Sequence, residues 1–185
     1  MRPILRPAEP GDIPAITRIY SDAVLTGTAS YELSPPDETE MRARFDAIKR
    51  QGYPYIVAID SDGTVLGYAY ASAFRTRPAY RWLVEDSIYL AESARGRGLG
   101  RLLLEELVRL STELGFRQMA AVIGGASPAS VALHTACGFS MVGTMTGTGF
   151  KQGKWLDTVF MQRALGEGNG TDPDPDRYPG TLFDG

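Results

Sequence analysis

Between Glu85 and Gly115 the chain passes from an apolar stretch through three closely spaced glycines into an amphipathic run, and few folds accommodate that order. Ser87-Ile-Tyr-Leu-Ala91 is long enough for one buried strand and rich in strand-favouring residues. The loop Glu92-Ser-Ala94 leads into Arg95-Gly-Arg-Gly-Leu-Gly100, after which Arg101-Leu-Leu-Leu-Glu-Glu-Leu-Val-Arg-Leu110 repeats its apolar positions at helical spacing. Glycines this dense let the backbone approach a ligand with no Cβ in the way. Their amides then lie at a helix N-terminus, where unpaired N–H groups and the positive dipole end attract an anion. Arg95, Arg97 and Arg101 add full charges around the same spot, which suits a diphosphate better than a single carboxylate.

Spacing decides which phosphate ligand fits. A Walker loop needs a Lys that does not follow Gly100, and a dinucleotide fingerprint counted from Gly96 or Gly98 ends on Arg101 or Leu103 instead of glycine. The pattern that fits is R-x-x-G-x-G, met by Arg95, Gly98 and Gly100. Here the chain resembles the acetyl-CoA-binding motif of the GNAT N-acetyltransferase superfamily. The resemblance implies that the loop amides from Arg95 through Gly96, Arg97, Gly98, Leu99 and Gly100 to Arg101 hold the CoA diphosphate. A glycine-rich turn before an ordinary helix is the plainer alternative.

Element patterning runs in a compatible order. Ile4-Leu-Arg-Pro7 reads as a strand, and Asp12 is placed as N-cap of a helix with Ile13, Ile16, Ile19, Tyr20 and Val24 on one face. Pro35-Pro-Asp37 opens a second helix to about Arg50, with Met41, Phe45 and Ile48 as its buried stripe. Tyr55–Ile59 and Val65–Phe74 form a hairpin about Asp60-Ser-Asp-Gly63. After the central strand and its helix come a strand at Met119–Ile123 and a helix from Ser127-Pro128 to Gly138. Strands at Phe139–Val142 and Asp157–Met161 follow, joined by a Gly- and Lys-containing connection at Gly147–Lys154. The order β-α-α-β-β-β-α-β-α-β-β is also the GNAT order, which implies an α/β (α+β) fold: a mixed sheet of about seven strands, flanked by about four helices and splayed at its central strands.

Residues 1–165 are read as this single domain. Beyond Leu165 the segment Gly-Glu-Gly-Asn-Gly-Thr-Asp-Pro-Asp-Pro-Asp is too polar and proline-rich to offset the entropy of ordering, so residues 166–185 are expected to be a disordered or loosely draped tail. Tyr178–Phe183 is its only dockable part. The net charge of −3 is concentrated in this tail, which leaves the domain body almost neutral and without a nucleic-acid footprint. No apolar run approaches the roughly 20 residues of a membrane span, and the N-terminus lacks a signal-peptide apolar region, so a cytoplasmic protein is expected. With Cys137 the only cysteine and His134 the only histidine, no intrachain disulfide can form and no metal site is expected. Cys137 reads as a small apolar residue on a helix face.

The resemblance narrows further. Asp22-Ala-Val-Leu-Thr26 with Thr28-Ala-Ser-Tyr31-Glu32, then Trp82, Glu85 and Tyr89, Ala121–Gly124, Ser130 with Leu133-His134, Gly149-Phe-Lys151, and Trp155 with Asp157 are similar to the phosphinothricin and methionine sulfoximine acetyltransferase group, over about residues 2–163. It implies acetyl transfer from acetyl-CoA to the α-amino group of a small amino acid or analogue by a homodimer. Glu85 would be the general base, the competing reading being a solvated strand-end carboxylate. The frame Ser127, Ser130, Leu133, His134, Gly138, Phe139 puts His134 where relatives carry a general acid; a satisfied, partly buried histidine is the alternative. Main-chain groups near Tyr89, Leu90 and Ala91 would hold the thioester oxygen and the pantetheine arm, and Ser127 and Ser130 would contact the cofactor, Ser127 standing where many relatives carry Asn. Arg75 and Arg77 could pair with the acceptor carboxylate or be solvated surface arginines. Tyr31 is a pocket wall or a core residue, and Lys151 a substrate contact near the partner's site. A GNAT enzyme acting on protein N-termini or lysines, and a non-catalytic acyl-CoA-binding module, stay open as other readings.

Overall fold

In the computed structural model, which describes residues 3–182, a seven-stranded sheet separates two pairs of helices. The elements are β1 (Ile4–Pro7), α1 (Ile13–Thr26), α2 (Glu38–Arg50), β2 (Tyr55–Ile59), β3 (Val65–Ala73), β4 (Leu83–Leu90), α3 (Leu99–Glu113), β5 (Gln118–Gly124), α4 (Pro128–Ala136), β6 (Ser140–Lys151) and β7 (Lys154–Ala164). Their sheet order is β1-β2-β3-β4-β5-β7-β6, and only β4 and β5 run parallel. The expected element order and the mixed sheet are both present.

Strand alternation divides the core in two. Ala58, Ala69, Ala71, Val84, Met119 and Ala121 face α3, whose Leu103, Leu104 and Leu107 are fully buried. Four alanines beneath this helix let it lie close to the sheet. On the other face Tyr55, Val57 and Tyr68 pack with Tyr20 of α1 and Met41 and Phe45 of α2.

The two central strands part early. Leu83, Val84 and Glu85 pair with Gln118, Met119 and Ala120, and the ladder then stops although both strands continue. Because the Trp82 carbonyl accepts from Arg117 and Gln118, and Ala91 N–H donates to Leu66 on the β3 side, alternation turns the Asp86 carbonyl and the main-chain groups of Ile88 and Leu90 toward the gap. The expected splay is therefore a wedge lined by backbone donors and acceptors.

Local departures from the sequence reading have clear causes. Asp12 precedes α1 but makes no side-chain cap: its carboxylate takes Arg6 (2.8 Å) and the Glu9 N–H (2.8 Å) instead. Asp37 does cap α2, accepting from Glu40 N–H at 2.8 Å. Gly147–Lys154 is not a loop but the far end of the β6–β7 hairpin, whose turn is Gln152-Gly153 at φ 53° and 74°. A register shift between Met145 and Gly149 breaks the alternation that would have revealed it.

The tail expectation also needs correction. Arg117 donates to the carbonyls of Gly168 (2.7 Å) and Thr171 (2.9 Å), and Arg177 to the Glu113 carbonyl (2.7 Å). Tyr178 sets its ring edge-on to Phe116 with centroids 5.9 Å apart. Polar residues thus dock through main-chain carbonyls that satisfy two guanidinium groups, a bond type that hydropathy does not register. Met1, Arg2, Phe183, Asp184 and Gly185 lie outside the described residues. Tyr178→Ala should lower the unfolding free energy by about 1–2 kcal/mol in urea titration, from the loss of a half-buried ring; an unchanged midpoint would show that the tail does not dock.

Candidate active site

The glycine loop has the form its residues require. Gly98 caps α3 with φ 78° and Gly96 has φ 70°, both in the left-handed region, and nothing lies within 4 Å of either Cβ position. The ground in front of them is open. Arg95 N–H donates to Glu92, and Arg101 and Leu102 share the Gly98 carbonyl. Among the described residues, the N–H groups of Gly96, Arg97, Gly98, Leu99 and Gly100 find no main-chain acceptor. Orphan donors at a helix start are what an anion satisfies, and they fit the diphosphate of CoA. Gly100 serves packing: a Cβ there would meet Leu133 Cδ2 at 3.2 Å and Leu90 Cδ1 at 3.6 Å, so α3, β4 and α4 converge on it. Arg95 and Arg97 are exposed beside the donors, whereas Arg101 turns back to Glu105 (2.7 Å) along the helix.

Glu85 stands where the central strands begin to part, opposite Ser72 of β3 and Ala120 of β5. Alternation puts it on the same face as Ser87 and Tyr89. Burial, then the neighbouring charge of Asp86, push its carboxyl up to about 7, while the Arg75 guanidinium pulls the other way. A carboxylate poised there exchanges protons near neutral pH. Arg75 is exposed, lies 4.2 Å over the Phe74 ring and donates to the Phe74 carbonyl. Its fork remains available to an anionic group of an acceptor held against Glu85. Arg77 opens the exposed turn Pro78–Tyr80 and is not among the charges that Glu85 senses; of the two expected arginines, only Arg75 joins the site.

A tyrosine stack forms the dry flank of Glu85. Tyr70 lies opposite Ser87 and bonds to it, and Tyr55, Tyr68 and Tyr89 follow with ring centroids 5.0–5.8 Å apart. Tyr89, expected at the cofactor, is held by Tyr68 and by Tyr20 edge-on at 4.9 Å. The expectation that Ala91 offers an amide is also corrected: its N–H goes to Leu66 (2.9 Å) and its carbonyl to Ala94. Leu90 stays in the wedge, and Ile88, which sequence reasoning missed, joins it. The pairing direction decides this, and a single strand carries no sign of it.

The segment Gly27–Glu32 closes the acceptor side. A Cβ on Gly124 would lie 2.6 Å from the Thr28 carbonyl oxygen and 2.9 Å from the Tyr31 ring, and one on Gly149 would lie 2.9 Å from the same ring. Tyr31 is wedged between them, its hydroxyl 2.6 Å from Thr158 Oγ1 and accepting the Gly125 N–H at 3.2 Å. Tyr31 is 37% exposed, a position that suits a pocket wall as well as a packing residue. Lys151 is not an open substrate contact: only 6% exposed, it donates to the Ser30 carbonyl at 2.8 Å, and burial lowers its pKa. Ser30 also pairs with Tyr20, whose hydroxyl reaches Glu32, and Glu32 accepts from Arg44 at 2.6 Å. The loop is thereby tied to both α1 and α2, a network that sequence patterning did not indicate.

On the α4 side, Ser127 caps the helix by accepting from Ser130 N–H (3.4 Å), which leaves its hydroxyl proton free to donate outward. Ser130 Oγ lies 3.4 Å from His134 Nδ1. His134 itself is buried, with Nδ1 2.7 Å from the Ser130 carbonyl and Nε2 3.0 Å from Asp86 Oδ2. Both ring nitrogens are engaged inside the fold, so the geometry favours the satisfied-histidine alternative over an open acid. Cys137 is buried at the end of α4. Among the described residues no three His, Cys, Asp or Glu side chains gather as a metal cluster, and no helix is long and apolar enough to cross a membrane.

The acetyltransferase (GNAT) family model matches residues 16–139, from α1 through the glycine loop to the end of α4. The chain belongs to the GNAT acetyltransferase family. Among GNAT relatives, a phosphinothricin N-acetyltransferase of Alcaligenes faecalis is 50% identical over 88% of this chain and 83% of its own length. An L-methionine sulfoximine/L-methionine sulfone acetyltransferase of Pseudomonas paraeruginosa is 42% identical over 87% and 94%. A phosphinothricin acetyltransferase from Sinorhizobium meliloti, solved in complex with AcCoA, superposes with a TM-score of 0.95 at 60% identity, covering 97% of both chains.

Gly98→Ala puts a side chain at φ 78° in front of the GNAT loop. It should cost about 1 kcal/mol of stability and weaken acetyl-CoA binding at least tenfold by calorimetry; unchanged binding would mean that these amides do not hold the cofactor.

Proposed function

We propose that this GNAT enzyme transfers the acetyl group of acetyl-CoA to the amino group of a small amino acid or analogue of the phosphinothricin and methionine sulfoximine kind. The observation that carries the reading is Glu85, buried at the opening of the wedge with its carboxyl near 7 and Arg75 as its cationic neighbour. An α-amino acid carries the complementary pair, an ammonium for Glu85 and a carboxylate or phosphinate for Arg75. Tyr31 and the segment anchored by Lys151 wall the acceptor side.

When bound, acetyl-CoA supplies an activated acyl carbonyl with a thiol leaving group. The amides of Gly96–Gly100 hold its diphosphate, and the main-chain groups of Ile88 and Leu90 receive the carbonyl oxygen and the amides of the pantetheine arm in the wedge. Glu85 takes one proton from the acceptor ammonium and so frees the nitrogen lone pair. The second nitrogen proton leaves with the departing sulfur or to water; a thiol of pKa about 8.5 departs without needing a dedicated acid. The tyrosine stack excludes water beside Glu85 and keeps its carboxyl weakly acidic.

The edge hairpin suits a homodimer. Phe150 and Trp155 are 58% and 68% exposed and pack edge-on across β6 and β7, with Met141, Val142 and Met145 also exposed on β6. Such a band on an edge strand is covered most economically by a second copy. The reading also makes this a cytoplasmic enzyme, where acetyl-CoA and free amino acids meet.

Thiol release with acetyl-CoA should be fastest with phosphinothricin, methionine sulfoximine or methionine sulfone among a panel that includes the common amino acids and an N-terminal peptide; turnover of the peptide alone would overturn the acceptor assignment. Because the base works only as carboxylate, kcat/KM should fall as pH drops through about 7. Glu85→Gln should lose that limb and about 10²–10³ in kcat while still binding acetyl-CoA; an unchanged kcat would remove Glu85 from the mechanism.

A further inference from the structure

We propose that His134 is a positioning residue: its imidazole shares a proton with the buried carboxylate of Asp86, and so limits the repulsion that this carboxylate exerts on a second negative charge on Glu85. This rests on Glu85 being the base, and it replaces a general acid with an electrostatic shield.

The tautomer follows from the partners. A carbonyl oxygen only accepts, so the 2.7 Å contact with Ser130 puts a proton on Nδ1. The 3.0 Å contact between Nε2 and Asp86 Oδ2 then needs one further proton, carried by the ring or by the acid. Either way the pair has no net charge. Its side chains are 5% and 3% exposed, and losing that proton would leave a bare Nε2 facing a bare carboxylate away from water. Burial alone would push the His134 pKa down, but the bond and charge of Asp86 and the Ser130 carbonyl outweigh it and raise it.

Asp86 has no other protection. Its Oδ1 finds no hydrogen-bond partner among the described residues, so His134 alone neutralises it. Glu85 is the next residue along β4, and Asp86 is the main charge raising its proton affinity. The other groups that face the pair offer no substitute. Arg75 and Tyr70 lie on the Glu85 side, Cys137 near Asp86 is a neutral thiol with its pKa raised, and Phe139 presents only a ring edge-on to His134 at 5.0 Å. Both ring nitrogens are taken up by Ser130 and Asp86.

His134 is the only histidine in the chain, so the test needs no assignment. In the ¹⁵N-histidine-labelled wild-type protein, Nδ1 should stay protonated from pH 5 to 9 and Nε2 hydrogen-bonded, with no transition near the free value of about 6.5. A ring that titrates there, or one with a bare Nδ1, overturns the proposal whether or not any variant folds. In kcat/KM profiles, His134→Gln should move the acid limb up by about one pH unit, and so lower the rate about tenfold on that limb, with the high-pH rate falling less than threefold. The double variant Asp86→Asn/His134→Gln should return the limb to the wild-type position or below it. A hundredfold loss at all pH values in His134→Gln, unrelieved by Asp86→Asn, would make His134 the acid. A wild-type profile with no limb near 7 would instead remove Glu85 as base, an outcome separable from the ring titration.

Discussion

The parting of β4 from β5 after three paired residues is the constraint from which the rest of the site follows. A continued ladder would satisfy the Asp86 carbonyl and the main-chain groups of Ile88 and Leu90 and leave a closed sheet. Ending it leaves those groups facing a wedge, where an amide-rich chain such as pantetheine can act as a short guest strand. The glycine loop lies at the C-terminal end of the same strand, so a ligand anchored by the α3 N-terminus is led between the strands toward Glu85. Gly100 helps bring this about, because a Cβ there would already stand 3.2 Å from Leu133 and 3.6 Å from Leu90, the two side chains that α3 approaches together.

The two faces of the sheet are built for different tasks. Beneath α3 the alanines of β2 and β3 give a close, dry interface that fixes this helix and its open N-terminus relative to the strands. Tyrosines cover the opposite face, and their bulk removes water from around Glu85 while their hydroxyls remain neutral. Tyr55, Tyr70 and Tyr89 all have raised pKa values, chiefly from burial. Such a surface lifts a carboxyl toward neutrality without adding a charge that would compete for the substrate. Arg75 tempers the shift, and a substrate anion drawn to its guanidinium would partly cancel that influence, making Glu85 more basic when an acceptor is present.

How much of this could be read in the sequence depended on how local the physics was. The glycine loop, the α3 stripe and the element order rest on neighbours within a few residues, and each appears in the fold. Glu85 is singled out in the sequence only by a resemblance of its position before the loop to a known family; nothing in its immediate sequence distinguishes it from Asp86. The misplaced features are all long-range. Ala91 lost its amide to Leu66, Lys151 reached back to Ser30, and Arg117 gathered the carbonyls of a tail that composition alone would leave loose. Each is a side-chain or main-chain bond across a wide sequence separation, to which neither periodicity nor composition responds.

Lys151 shows why such bonds matter to the chemistry. Phe150 and Lys151 are adjacent on β6, so alternation points one outward to the exposed apolar band and the other inward beneath the acceptor segment. A buried ammonium on a single backbone carbonyl is a costly arrangement, and its pKa is lowered accordingly. It persists because Glu32, held by Arg44 and Tyr20, supplies negative charge nearby. Tyr31 lies between Ser30 and Glu32, the two residues this network fixes, and it is the side chain that Gly124 and Gly149 leave room for. The position of Tyr31 is therefore set by the β6–β7 edge as much as by α1, and any surface that covers Phe150 and Trp155 acts on the same two-stranded lever that carries Lys151.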